Sequence, residues 1–185
     1  MASGRQHDRA TWFWSLPLGA AVGLIWGWTD GITAAIAFLF GGLWLSPDLD
    51  TRSKALHRWG RLGLIWWPYR RLIRHRSIWS HGPLIGTTVR LVNLLGWLIL
   101  VIFLVPSLNL TVVTEIAQQW MNNHPRQIIT IALALESSTW LHLVLDGDPW
   151  PVEWSHRRNR SSNKLCTRDK RVQRHSISSS RSTNS

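Results

Sequence analysis

Apolar and polar residues along the chain are segregated into long blocks rather than mixed evenly. Four apolar blocks are present, at residues 10–29, 31–47, 91–114 and 127–145. The first three contain no charged side chain, whereas the fourth carries Glu136 and His142. A helix of about 20 apolar residues crosses the roughly 30 Å hydrocarbon core of a bilayer. The blocks therefore predict four transmembrane helices, because a soluble globule of 185 residues does not need so many charge-free stretches.

Tryptophan residues lie near the ends of these blocks, as expected for rings that favour the membrane–water interface. Five of the 14 tryptophans flank the first two blocks: Trp12, Trp14, Trp26, Trp28 and Trp44. Residues 52–73 mix basic side chains with Leu, Ile and Trp, which predicts an interfacial amphipathic helix broken at Pro68. The predicted fold class is all-α: a polytopic membrane bundle of four transmembrane helices plus this interfacial helix.

Basic residues alternate between the predicted loops. Residues 51–90 carry nine Lys and Arg, the chain from residue 156 carries nine more, and the other two loops together carry only Arg126. The positive-inside rule then places both termini in the cytoplasm of a bacterial inner membrane or thylakoid. The net charge of +11 fits contact of the basic loop and tail with anionic lipid head groups, so no nucleic acid partner is expected.

The composition divides the chain into two parts. Residues 1–156 are predicted to form a membrane-embedded metal-binding helical domain, and residues 157–185 a basic, Ser-rich, disordered tail. The single cysteine, Cys166, excludes a disulfide framework and any Cys-rich zinc or iron–sulfur site.

Candidate ligands lie at the helix ends predicted to face the cytoplasm. They form four pairs: His7 with Asp8, Asp48 with Asp50, His75 with His81, and His142 with Asp146. Each residue alone could be a helix cap or an interfacial polar group. Their convergence on one face is an independent indication of a metal site, because the topology was inferred from Lys and Arg only.

The spacing within these pairs suits metal ligands. His142 and Asp146 are four residues apart, so both side chains lie on one face of a helix. Pro47 predicts a turn around Asp48 and Asp50, whereas His75 and His81 require a bend between them. Four imidazoles and four carboxylates suggest two ions, or one ion with outer partners. Without cysteine, the expected ions are Zn²⁺, Mn²⁺ or Fe²⁺.

Further charged residues have alternative interpretations. Glu136 lies deepest in the membrane and is an outer partner of the metal site, a proton carrier, or a partner of a hydroxyl across the bundle. Four arginines near His75 contact anionic lipid or hold a phosphate: Arg70, Arg71, Arg74 and Arg76.

Four motifs carry a resemblance to a known family: SGRQHD (3–8), SPDLD (46–50), HRSIWSHG (75–82) and HLVLD (142–146). As a set they resemble a family of bacterial membrane proteins described as metal-binding and best represented in cyanobacteria. More distantly, they resemble the inner-membrane metal-dependent hydrolases. The resemblance covers about residues 3–150 and implies metal binding by His7, Asp8, Asp48, Asp50, His75, His81, His142 and Asp146.

The predicted function is metal-dependent hydrolysis of an ester or phosphoester at the cytoplasmic face, with unassigned catalytic residues. A non-catalytic structural, sensing or storage role for the metal is the alternative. A metal transporter has less support, because only Glu136 approaches the bilayer middle, where transporter sites usually lie.

Overall fold

The computed structural model describes residues 4–75, 77–105 and 108–147, and these residues form helices and no strand. Their α-helices are α1 Gly4–Trp26, α2 Trp28–Leu43, α3 Lys54–Arg58, α4 Trp67–Leu72, α5 Ile78–His81, α6 Ile85–Leu104, α7 Leu110–Asn123 and α8 Pro125–Leu145. Two 3₁₀ segments, Pro47–Asp50 and Gly60–Trp66, lie in the connection between α2 and α4. The all-α prediction is confirmed. The predicted boundary at residue 156 and the tail lie outside the described residues.

Helices α1 and α2 form a close hairpin because glycines line their contact. Gly27 joins them with a φ of +103°, a conformation that L side chains rarely adopt. A Cβ on Gly31 would lie 2.6 Å from the carbonyl oxygen of Gly19, so the two backbones approach without side chains between them. On α2, Gly41 makes a similar close approach to Ser138 of α8. The end of α8 is thereby held beside the beginning of α1.

The buried apolar residues form two small clusters on α8. One joins α2 to α8: Ala34, Ala37, Phe38 and Ala134. The other joins the connection after α2 to α8: Leu45, Leu49, Ala55, Trp66, Tyr69 and Leu135. Leu49 and Trp66 are fully buried, which anchors the connection against the bundle. The connection therefore has a fixed position although its helices are short.

Residues 52–73, predicted as one interfacial helix broken at Pro68, contain α3, a 3₁₀ segment and α4. Pro68 does not break a helix but lies in the first turn of α4, where its missing N–H costs no hydrogen bond. The interruption falls instead at Gly60, whose φ is +52°. Along this segment Trp66 is buried and Trp67 is exposed.

The third apolar block gives one of the candidate membrane spans, but its helix does not have the bounds 91–114. Helix α6 begins earlier, at Ile85, and ends at Leu104, and α7 follows from Leu110. Pro106 lies in the intervening sequence, where proline cannot donate the hydrogen bond that continues a helix.

Three described stretches are long and apolar enough to cross a membrane: Trp28–Asp50, Ile85–Leu104 and Pro125–Leu145. The block at 10–29, predicted as a further transmembrane helix, corresponds to α1, which is not among them. Its first turns carry Arg5, Asp8 and Arg9, and Trp, Ser, Thr, Pro and Gly dilute its apolar part. The expected four helices are thus reduced to three candidates. The window in α6 is only 17% buried, so its apolar side chains face outward.

Candidate metal centre

Seven of the eight predicted ligand residues lie together at one end of the bundle. They come from separate elements: His7 from α1, Asp48 and Asp50 from the 3₁₀ segment after α2, His75 from the turn before α5, His81 from α5, and His142 with Asp146 from the end of α8. They form three groups, in each of which the candidate ligand atoms lie within 4.8 Å of one another. The groups overlap, since His81 and His142 each belong to two.

The two aspartates after α2 are held by local structure. Ser46 accepts a hydrogen bond from the backbone N–H of Asp48, and Pro47 begins the 3₁₀ segment. The fully buried Leu49 lies between the two aspartates and is part of the core. The turn expected from Pro47 is therefore a short helix, and Leu49 fixes its position.

The central group consists of Asp48, His81 and His142. Nε2 of His142 lies 3.5 Å from Oδ2 of Asp48, and Nε2 of His81 lies 3.9 Å from Oδ1. The two carboxylate oxygens thus face two different imidazoles. Both Nε2 atoms are buried and have no hydrogen-bond partner among the described residues. Unpaired buried polar atoms are rare, because each leaves a desolvation cost uncompensated.

Ser80 fixes the tautomer of His81. The Ser80 hydroxyl lies 3.3 Å from the carbonyl oxygen of Ser77 and 3.4 Å from that of Arg74, and it donates its single hydrogen to this pair of acceptors. With its hydrogen on these carbonyl oxygens, the hydroxyl accepts from Nδ1–H of His81, at 2.9 Å. Nε2 of His81 consequently carries the lone pair, which is the form that ligates a metal.

Two flanking groups extend the central one. On one side, Nε2 of His7 lies 3.1 Å from Oδ1 of Asp146, whose Oδ2 lies 3.6 Å from Nε2 of His142. The rings of His7 and His142 are stacked with their centroids 3.9 Å apart. Two charged imidazoles at this distance repel each other, which after burial is the second cause that lowers the pKa of His7.

On the other side, Nδ1 of His75 lies 2.9 Å from Oδ1 of Asp50. Oδ2 of the same carboxylate lies 3.7 Å from Nδ1 of His81. The rings of His75 and His81 meet edge to face at 5.5 Å, so the bend expected between these residues is present.

Burial favours the neutral form of two imidazoles in this cluster, those of His7 and His81. Desolvation lowers the pKa of His81 to about 3. The pKa of His7 is also lowered, first by burial and then by the neighbouring His142. A neutral imidazole is the form that binds a divalent ion.

The donor atoms fit a transition-metal ion. Ligand atoms on a tetrahedral ion with bonds of about 2.0 Å lie about 3.3 Å apart. The gaps of 3.5 and 3.9 Å between the imidazoles and Asp48 are close to that spacing. An ion would also satisfy the two unpaired Nε2 atoms. His and Asp without Cys are a donor set suited to Zn²⁺, Mn²⁺ or Fe²⁺.

Asp8 belongs to none of the three groups. Its Oδ2 lies 2.6 Å from Nη2 of Arg58 and 3.7 Å from Nζ of Lys54. It nevertheless lines the same cavity as His7, Asp48 and His142. The structure thus pairs this predicted ligand with two basic residues beside the cluster.

Arg90 and Glu136 lie in candidate membrane-spanning helices, and each makes hydrogen bonds to other residues of the fold. Arg90 is fully buried, and its Nη2 donates to the hydroxyls of Thr87 and Thr139. Oε1 of Glu136 accepts a hydrogen bond from the backbone N–H of Leu84 at 2.8 Å. This bond is none of the three roles considered for Glu136 from sequence.

Sequence analysis did not assign a role to Ser46 or Ser80, each of which contacts an imidazole nitrogen of the cluster. In both cases the position in the sequence could have indicated this contact. Ser46 directly precedes the Pro-Asp pair and Ser80 directly precedes His81. A hydroxyl beside a candidate ligand commonly orients it.

Comparison with known proteins finds a family and one short relative. A family model described as "Uncharacterized metal-binding protein (DUF2227)" matches residues 2–158. A protein of Aquifex aeolicus (strain VF5), described as an uncharacterized protein, is 44% identical over 61 residues, which are 32% of this chain and 43% of that protein. The chain thus spans less than half the length of this relative. No solved structure matches. Neither match carries the expected cyanobacterial or hydrolase association.

Proposed function

The chain belongs to this family of metal-binding proteins, and on that premise we propose that it is a membrane-embedded, metal-dependent hydrolase. The observation that carries the proposal is the central group, in which two buried Nε2 atoms without partners face the two oxygens of Asp48. His142 and Asp48 also line a cavity of about 250 Å³, so these ligands are accessible to a small substrate.

The side chains of the cluster have separate tasks in this proposal. Asp48, His81 and His142 hold a divalent ion, and Ser80 keeps His81 in the binding tautomer. The pairs His7–Asp146 and His75–Asp50 orient these ligands or hold a second ion. A bound divalent ion lowers the pKa of its water towards neutrality and polarises the ester oxygen. The hydrolase resemblance of the four motifs supports this assignment.

The three apolar helices support membrane embedding. The proposed orientation has both termini in the cytoplasm, in a bacterial inner membrane or thylakoid, as the distribution of basic residues predicts. Exposed basic and aromatic side chains of the connection after α2, among them Arg61 and Trp67, are suited to contact anionic head groups. The substrate would then reach the cluster from the cytoplasmic side.

Metal content is the decisive measurement. The full chain is purified in detergent and analysed by elemental analysis as wild type, Asp48→Asn and His81→Gln. We expect one or two ions per chain in the wild type and loss of at least one in each variant. Replacement of exposed Glu115 on α7 by Gln is the matched control, because it removes a carboxylate far along the chain from the cluster. No bound metal in a wild type reloaded with Zn²⁺ or Mn²⁺ would refute the proposal.

A non-catalytic metal-binding role is the second candidate. It is favoured by the flanking pairs, because His7 and Asp146 could complete the coordination of an ion at His142 and leave no open position. Ester and phosphoester hydrolysis by the metal-loaded protein separates the two. Full metal content without turnover of any tested ester would favour the structural, sensing or storage role.

A further inference from the structure

The cavity beside the central group has a basic wall. Part of its lining is formed by the candidate ligands His7, Asp48 and His142, and another part by Lys54 and Arg58 of α3. Sequence analysis treated the basic residues of this segment only as lipid contacts or as neighbours of His75. The structure places these two against the ligands instead.

Arg58 is fixed in this wall. Its Nη1 donates to the carbonyl oxygen of Leu43 at 2.8 Å, and its Nη2 lies 2.6 Å from Oδ2 of Asp8. Both contacts are made by a side chain only 26% exposed. The guanidinium is therefore preorganised, and a ligand would not have to order it.

Lys54 is the more exposed cation of the wall. Its Nζ lies 3.7 Å from the same Asp8 oxygen, and its side chain is 51% exposed. At that distance the ammonium group keeps donor capacity for another acceptor. Asp48 also lines the cavity, so Lys54 and Arg58 formally balance the carboxylates of Asp8 and Asp48, and a bound divalent ion would make the charge of the cavity positive.

With a divalent ion bound, the size and charge of the cavity suit a compact dianion. Its volume of about 250 Å³ is below the roughly 300–1,000 Å³ of pockets that enclose drug-sized ligands. A terminal phosphate has three free oxygens, so it can contact the Lys54 ammonium group, the Arg58 guanidinium and a metal ion held on the other side of the cavity. Charge-assisted hydrogen bonds of this kind are about twice as strong as neutral ones.

We propose that this cavity binds the terminal phosphate of a phosphomonoester, with Lys54 and Arg58 as its anion-binding residues. This inference rests on the proposed function and names its substrate class. The phosphate can belong to a soluble phosphomonoester or to the head group of a phospholipid such as phosphatidic acid.

Inorganic phosphate is the first probe. Its affinity for the metal-loaded full chain is measured by calorimetry in wild type, Lys54→Gln, Lys54→Arg and Arg61→Gln. We expect Lys54→Gln to weaken binding about tenfold and Lys54→Arg to restore most of it. Arg61→Gln removes a charge from an exposed residue of the same segment that does not line this cavity, so it should leave the affinity unchanged.

Two further arms separate the sources of the phosphate. Glycerol 3-phosphate in solution and phosphatidylcholine vesicles with or without phosphatidic acid are tested as competitors of inorganic phosphate. Competition by either class supports the inference and identifies the source. Absence of phosphate binding to the wild type, or equal weakening by Lys54→Gln and Arg61→Gln, would overturn it. Metal content measured on the same samples tests the proposed function separately.

Discussion

At the scale of single residues, the hydroxyl of Ser80 makes a specific prediction. Ser80→Ala removes the hydroxyl that contacts Nδ1 of His81 at 2.9 Å and leaves, in the described part of the chain, only Oδ2 of Asp50, at 3.7 Å, so the orientation of the ring is less well fixed. We expect metal affinity to fall by about tenfold to a hundredfold, the usual effect of losing an outer partner of a ligating histidine. Titration against a chromophoric chelator measures it. Ser77→Ala is the matched control, because the Ser77 hydroxyl is buried nearby with no hydrogen-bond partner among the described residues. Equal effects of both substitutions would contradict this role.

Asp8 and Asp48 can be separated by matched substitutions. Asp48→Asn removes the carboxylate that faces two imidazoles, so we expect loss of bound metal. Asp8→Asn instead weakens the contact that fixes Arg58 and should leave the metal content within about 20% of wild type while altering phosphate affinity. Elemental analysis distinguishes the two. Metal loss in Asp8→Asn would restore this residue to the ligand set inferred from the motifs.

The residue types and their convergence at one end of the bundle could be predicted from sequence, because the pattern of apolar blocks indicates which helix ends meet. The pairing of individual atoms could not. Which oxygen of Asp48 faces His81, and which faces His142, depends on side-chain rotamers that no spacing rule fixes. Asp8 and its neighbour His7 have different partners because adjacent residues on a helix point in different directions.

At the scale of elements, Glu136 of α8 holds the turn between α5 and α6. Leu84 has a φ of +61°, which is unfavourable for a residue with a Cβ, and its N–H is satisfied by the Glu136 carboxylate. We expect Glu136→Ala to lower the free energy of unfolding by about 1–3 kcal/mol. Glu136→Gln, which keeps an acceptor oxygen, should lose less. Denaturation of the detergent-purified variants measures the difference, and equal losses in both would argue against the hydrogen bond.

The helices were predictable where composition and length agree, as in α2, α6 and α8. The ends of the helices were harder to predict, because single residues determine where a helix begins or ends. Gly60 interrupts the connection after α2 and Pro68 does not, since a proline in the first turn of a helix loses no bond. The close contacts of Gly19 with Gly31 could not be read from one sequence, because such packing depends on the partner helix.

At the scale of the whole molecule, a bound ion should stabilise the fold. Its ligands would come from the beginning of α1, the connection after α2, α5 and the end of α8, which are otherwise joined by small apolar clusters. We expect chelation to lower the melting temperature by at least several degrees and readdition of metal to restore it. Differential scanning fluorimetry in detergent measures the change. A variant that has lost metal, such as His81→Gln, should respond less to the chelator, and a response equal to that of the wild type would indicate an effect unrelated to the cluster.

The sequence positions of the ligands also have a consequence for biogenesis. His142 and Asp146 follow almost the whole of the helical region, whereas His7 lies in its first turns. During translation, helices α1 to α7 and five of the seven clustered ligand residues are synthesised before His142 and Asp146. The two ligand groups that include His142 are complete only once α8 has docked against α2, whereas Asp50, His75 and His81 are all synthesised before α8. A ribosome-bound chain stalled before α8 would carry His7, Asp48 and His81 without the partners that complete the centre.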